Sequence, residues 1–133
     1  MNLFKKLFGK KTPEQTIEEK SDSYEFNEKI DSNFSKQVDR NLKGKEYEQK
    51  GEIELAVKEY EQNVTERFDG SHPYNRLAII YRKKKDYDNE IRILNIAIEI
   101  YSELSKDSPR QDADPKLEKF RERLEKAEEL KKR

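Results

Sequence analysis

Large apolar residues recur every three or four positions along most of this chain, and the positions between them are almost all polar. Phe26, Ile30, Phe34, Val38 and Leu42 repeat at four, which draws an apolar ridge along an entry helix. Leu117, Phe120, Leu124, Ala127 and Leu130 recur at three and four behind Asp114 and Pro115, a pair that predicts an N-cap and a first helical residue. Between these flanks, GKEYEQKGEIELAVKEYEQNV and AIIYRKKKDYDNEIRILNIAI each read as helix, tight turn, helix, with turns near Gly51 and at Lys85-Asp86. Two helices joined by so short a turn lie antiparallel, and neither buries its stripe alone. The expected fold class is all-α.

The two central stretches are copies of one another. A shift of 34 residues aligns Gly44 with Ala78, Tyr47 with Tyr81, Ile53 with Tyr87, Tyr60 with Leu94 and Val64 with Ile98. Small residues stay small and large ones stay large: the small residue lets two helices approach, and the tyrosine three positions on fills the space between them. With repeats taken as 37–70 and 71–104, this pattern resembles the tetratricopeptide repeat. Gly44 and Ala78 fall on its small position, Tyr47 and Tyr81 on its first-helix tyrosine, Ala56 on its second-helix alanine, Tyr60 and Leu94 on its later large position, and Ala97 on its last alanine. Glu90 departs from it where alanine is expected, Asn63 where a small apolar residue is, and Phe68 and Ser102 where proline usually ends the repeat. At Glu90 two outcomes are open: the side chain lifts out of the second repeat, or it pairs with a nearby base. Pro73, with Gly70 and Ser71 ahead of it, supplies the break and a candidate N-cap. The resemblance implies a short solenoid whose exposed ends are covered by the flanking helices.

Composition narrows the function. Of 133 residues only 32% are hydrophobic and 44% are charged, so the core is thin and the outer faces heavily ionic. The 29 basic and 29 acidic residues cancel, and the basic footprint of a nucleic-acid binder is missing. Cysteine is absent, which excludes thiolate metal sites and a cysteine nucleophile and fits a cytoplasmic protein. His72 is the sole histidine, expected as an exposed turn residue, and the four glycines form no phosphate loop. No enzyme, metal or cofactor is expected.

The resemblance implies a concave groove lined by the first helix of each repeat, with ligands that are extended or helical peptides. Its groove positions fall on Asn41, Lys45 and Glu48 in the first repeat, and on Asn75, Arg76, Ile79, Arg82 and Lys83 in the second. Asparagine amides can hold a peptide backbone, and Lys and Arg can hold carboxylates. The expected partner is a protein or peptide segment, acidic or carboxylate-ended. The opposing expectation is that the chain's own flanking helices fill this face. A self-assembling homo-oligomer that buries the ends of the solenoid is the runner-up.

The chain opens with MNLFKKLFGKK. Residues 1–12 carry four lysines and no acid, while residues 13–32 carry seven acids and two bases, which separates a head, 1–22, from a helical domain, 23–133. Leu3, Phe4, Leu7 and Phe8 form one face of a short helix, with Lys5 and Lys6 opposite and Lys10 and Lys11 beyond Gly9. So short a helix, under the roughly 12 to 15 residues that stand alone in water, folds only against something. The candidates are an anionic membrane surface, held weakly at the inner face, or a protein groove.

Overall fold

The computed structural model describes residues 32–107 and 110–133. Among the described residues it is all-α, with five helices and no strand: α1, whose described part is 32–49, α2 (Ile53–Thr65), α3 (His72–Lys83), α4 (Tyr87–Asp107) and α5 (Ala113–Lys132). The chain divides between Lys36 and Gln37 into two compact units, and the second, Gln37–Arg133, holds the core described below. The basic head, including Leu3, Phe4, Leu7, Phe8 and its lysines, lies outside the described residues.

The turn chemistry repeats at the spacing of the sequence. At the end of α1, Gly51 takes φ +77°, its N–H donates to the Glu48 carbonyl (3.1 Å), and the Glu52 N–H donates to the Tyr47 carbonyl (2.8 Å). Thirty-four residues on, Lys85 takes φ +57°, its N–H donates to the Arg82 carbonyl (2.9 Å), and the Asp86 N–H donates to the Tyr81 carbonyl (2.9 Å). Each is a helix end closed by one left-handed residue. Glycine occupies that conformation freely, whereas Lys85 does so against its own Cβ. At the end of α2 a third such turn is built on Arg67, at φ +54°. No counterpart exists 34 residues later, because α4 continues through position 101 to Asp107.

Consecutive helices pack on one another from α2 to α5. Ala56, Tyr60, Leu77, Ala78, Ile93, Leu94, Ala97, Tyr101, Ala113, Phe120 and Ala127 are all but fully buried, and they interleave residues of all four helices. With few aliphatic residues to draw on, the core relies on tyrosines whose rings are buried while their hydroxyls reach an acceptor at the edge. Tyr60 donates to Glu48 (2.6 Å), Tyr74 to the Phe68 carbonyl (2.6 Å), Tyr101 to the Asp69 carbonyl (2.7 Å), and Tyr81 to Glu61. The small first-helix position works as its size suggests: a methyl at Gly44 would stand 2.5 Å from Cζ of Tyr60.

Two of the departures from the repeat are satisfied by pairing. Asn63 is fully buried, yet its amide nitrogen donates to the Gln37 carbonyl (2.8 Å) and to Asn41 Oδ1 (2.9 Å), while its oxygen accepts from Arg40 (3.1 Å). Glu90 is 1% exposed and accepts a hydrogen bond from Arg82 Nε at 2.7 Å, so of the two open outcomes the ion pair is the one realised.

Two local expectations are corrected. The N-cap of the last helix is Asp112, not Asp114, and Pro115 is the third residue of its first turn, where backbone N–H groups have no helical acceptor to lose. The Asp112 carboxylate bonds Arg110 and Lys116 rather than the helix end, and the first of these pairs holds it well below the usual carboxylate range. Ser71 is the N-cap residue of α3, as expected, with Pro73 in the first turn, although its hydroxyl makes no capping bond. His72 is not an exposed turn residue: it packs edge-on against Tyr60, with ring centroids 5.4 Å apart, and burial lowers its pKa. Of the entry ridge, Val38 is half-buried, while Phe34 and Leu42 are 55% and 56% exposed.

Candidate functional site

The groove positions separate into two groups. On α1, Asn41 is spent on Asn63 of α2 and thus belongs to a helix join. Glu48 accepts two bonds from Arg76 Nε (3.2 and 3.1 Å), one from Arg76 Nη2 (2.5 Å) and the Tyr60 hydroxyl, which ties α1 to α2 and α3. Burial alone would raise the Glu48 pKa, but the Arg76 and Tyr60 hydrogen bonds outweigh it and the net shift is downward. Arg76 is therefore a neutralised strut rather than a free cation. Lys45 is exposed beside this cluster, and its charge adds to the lowering of the His72 pKa.

On α3, Asn75, Ile79, Arg82 and Lys83 face α5. Arg123 of α5 donates from Nη1 to Asn75 Oδ1 (2.7 Å) and from Nη2 to the Asn75 carbonyl (3.4 Å). Arg82 donates in return to the Arg123 carbonyl (3.2 Å) while holding Glu90. At these positions the last helix reaches α3 through Arg123, so Asn75 and Arg82 are bonded within the chain rather than free on an open face.

What remains open is a seam between the two helices with a cleft on either side of the Asn75–Arg123 bridge. The first, about 380 Å³, is lined by Ser71 and Asn75 from the start of α3 and by Lys116, Lys119, Phe120, Glu122 and Arg123. The second, about 230 Å³, is lined by Ala78, Ile79, Arg82, Lys83, Glu90 and Arg123. Lys116, Lys119, Arg123, Arg82 and Lys83 face two carboxylates, Glu122 and Glu90. Part of this charge is already balanced, as Lys116 pairs with Asp112 at 2.8 Å and Arg82 with Glu90. Lys83 and Lys119 are exposed, and neither takes part in an ion pair among the described residues. Burial and the neighbouring charges of Arg82 and Arg76 lower the Arg123 pKa, against which Glu90 acts.

Neither the sequence nor the structure has a match among protein-family models, curated proteins or solved structures.

The basic run at Arg82, Lys83, Lys84 and Lys85 is not one patch. Arg82 turns to Glu90, Lys84 pairs with Glu54 of α2, and Lys85 carries the left-handed turn. Among the described residues no group of acidic or histidine side chains is arranged to hold a metal, and no helix is long and apolar enough to cross a membrane. The residues that sequence reasoning missed are Lys116, Lys119 and Arg123. Their signal was available in part: they flank the Leu117, Phe120, Leu124 stripe, so whatever α5 packs on, they border it.

Proposed function

We propose that this protein is a non-catalytic interaction module of tetratricopeptide-like helical hairpins, and that it holds an extended acidic segment of a protein partner along the α3–α5 seam. The observation that carries the reading is the pair of clefts meeting at Arg123, lined by five cationic side chains against two carboxylates. Such a surface favours carboxylates, and Arg and Asn supply directional donors to a peptide. The turn geometry that recurs 34 residues apart, and the Gly44–Tyr60 approach, support the helical-repeat reading.

The test reverses charge where no internal ion pair is broken. Peptides selected from a random display library on the wild type carry an acidic consensus, and Lys83→Glu/Lys119→Glu abolishes their binding while far-UV circular dichroism is unchanged. Selected peptides without acidic enrichment, or equal binding to both proteins, would contradict the reading.

A second reading, self-assembly, has Leu42 and Leu55 in its favour, 56% and 44% exposed on α1 and α2. It requires a mass that rises with concentration in light scattering.

A further inference from the structure

Leu77, Ala78 and Ile80 of α3 pack into the core, and Ile79 does not. Ile79 is half-buried on the wall of the 230 Å³ cleft, which it lines with Ala78, Arg82, Lys83, Glu90 and Arg123. Four of these residues are ionic, but their charged ends are committed elsewhere or stand at the rim. Ala78 and Glu90 are 0% and 1% exposed, so they offer an occupant no free group. Arg82 is neutralised by Glu90 and also bonds the Arg123 carbonyl. Both terminal nitrogens of Arg123 bond Asn75, on the wall of the first cleft. Lys83 is exposed, and a lysine so placed keeps its ammonium in water and its methylenes against the wall. The surface left to an occupant is therefore mainly carbon: the Ile79 side chain and the stems of Arg82, Lys83 and Arg123.

Magnitudes decide what such a cleft takes from an acidic segment. An exposed ammonium paired with a carboxylate changes affinity by about fivefold at most, so Lys83 and Lys119 choose the sign of the segment without holding it firmly. Burying an aliphatic side chain changes affinity by about ten- to a hundredfold. A polar side chain entering the cleft would give up water and find the directed groups of Arg82, Glu90 and Arg123 already bonded within the chain, whereas an aliphatic one gives up nothing.

We propose that this cleft seats an aliphatic side chain of the Leu, Ile or Val class from the acidic partner segment. The inference rests on the seam reading for the charge of that segment and adds the residue that supplies its affinity. The anchor packs beside Ile79, and the carboxylates around it lie at the Lys83 and Lys119 rim, the arrangement of an apolar contact enclosed by polar ones.

Nine-residue peptides that alternate Glu and Ser around a central Leu, Ala, Asn or Glu, titrated separately into isotopically labelled protein, report on this through the Ile79 methyl resonances. The Leu peptide should give saturable shifts and bind about tenfold tighter than the Ala peptide, and tighter than the Asn and Glu peptides. Added salt should weaken the Leu and Ala peptides alike and leave their ratio unchanged, because it screens the carboxylates and not the anchor. In Ile79→Ala the Leu peptide should fall towards the Ala peptide. Equal binding of the Leu and Ala peptides, tighter binding of the Glu or Asn peptide, or a Leu preference that persists in Ile79→Ala overturns the proposal. The wild-type comparison stands whether or not the variant folds. If all four peptides bind equally and Lys83→Glu/Lys119→Glu abolishes their binding, the anchor is wrong and the seam is right. A Leu preference that is untouched by those charge reversals is the reverse, and no saturable shift with any peptide overturns both.

Discussion

Gly44→Ala is the substitution whose sign decides whether the helix approach in the first hairpin has been read correctly. Residue 44 lies well inside α1, and there alanine is favoured over glycine by about 1 kcal/mol on helix propensity. Against that, the new methyl would stand 2.5 Å from Cζ and 2.9 Å from Cδ1 of Tyr60. The ring cannot yield freely: it is fully buried, its hydroxyl donates to Glu48 at 2.6 Å, and His72 stands edge-on to it. Overpacking costs about 1 to 3 kcal/mol, and partial loss of a hydrogen bond to a charged acceptor adds to it, up to about 1.5 to 3 kcal/mol if the bond breaks. The net expectation is a loss of about 1 to 3 kcal/mol, a drop of about 1 M in urea midpoint with an unchanged slope. In a Tyr60→Leu background the same substitution should become neutral or stabilising, a coupling of at least about 1 kcal/mol. A raised midpoint for Gly44→Ala in the wild-type background would show that propensity acts alone and refute the contact.

Further outcomes follow from the ion pairs. Arg82→Ala leaves the buried Glu90 without its hydrogen-bonded counter-ion and should cost about 2 to 3 kcal/mol at neutral pH, less than for a fully buried pair because Arg82 is itself a third exposed. Arg82→Met with Glu90→Leu should recover most of that loss in the same denaturant titration, because the desolvated charge is gone. The deficit of Arg82→Ala should also shrink as pH falls, since burial raises the Glu90 pKa and protonation removes the unpaired charge. Glu66 behaves oppositely. Hydrogen bonds from Arg40, then Gln62 and Gln37, hold its pKa at about 2 against an ordinary 4.5, so its contribution is complete above pH 4.5 and is lost as pH falls towards 2. Glu66→Gln should flatten the stability-versus-pH curve in that window and leave its slope unchanged above pH 6.

The all-helical class was legible because spacings of three and four survive in a chain with so little apolar content. The turns were legible too, as Gly51 and Lys85 sit at equivalent places in copies whose small and large positions coincide. Helix starts were less so: Pro115 suits either the first or the third helical position, since neither N–H has a helical acceptor, and the observed start is two residues earlier than the proline suggested. The groove was legible as a face but not as a surface. Periodicity puts Asn75, Ile79, Arg82 and Lys83 on one side of α3, but what lies opposite depends on packing across the chain. Asn75 and Arg82 both bond to Arg123, 48 and 41 residues away, and no local pattern carries that separation. Asn41 misled for a related reason. A polar residue at a groove position reads as available until a buried partner such as Asn63 claims it.

The seam is tested most directly by mapping amide shifts on the wild type with an acidic peptide taken from the display selection. Saturable shifts concentrated at Asn75, Arg82 and Lys83 on α3 and at Lys119 and Arg123 on α5 are predicted. Shifts confined to α2, around Leu55, with α3 and α5 silent, would contradict the account.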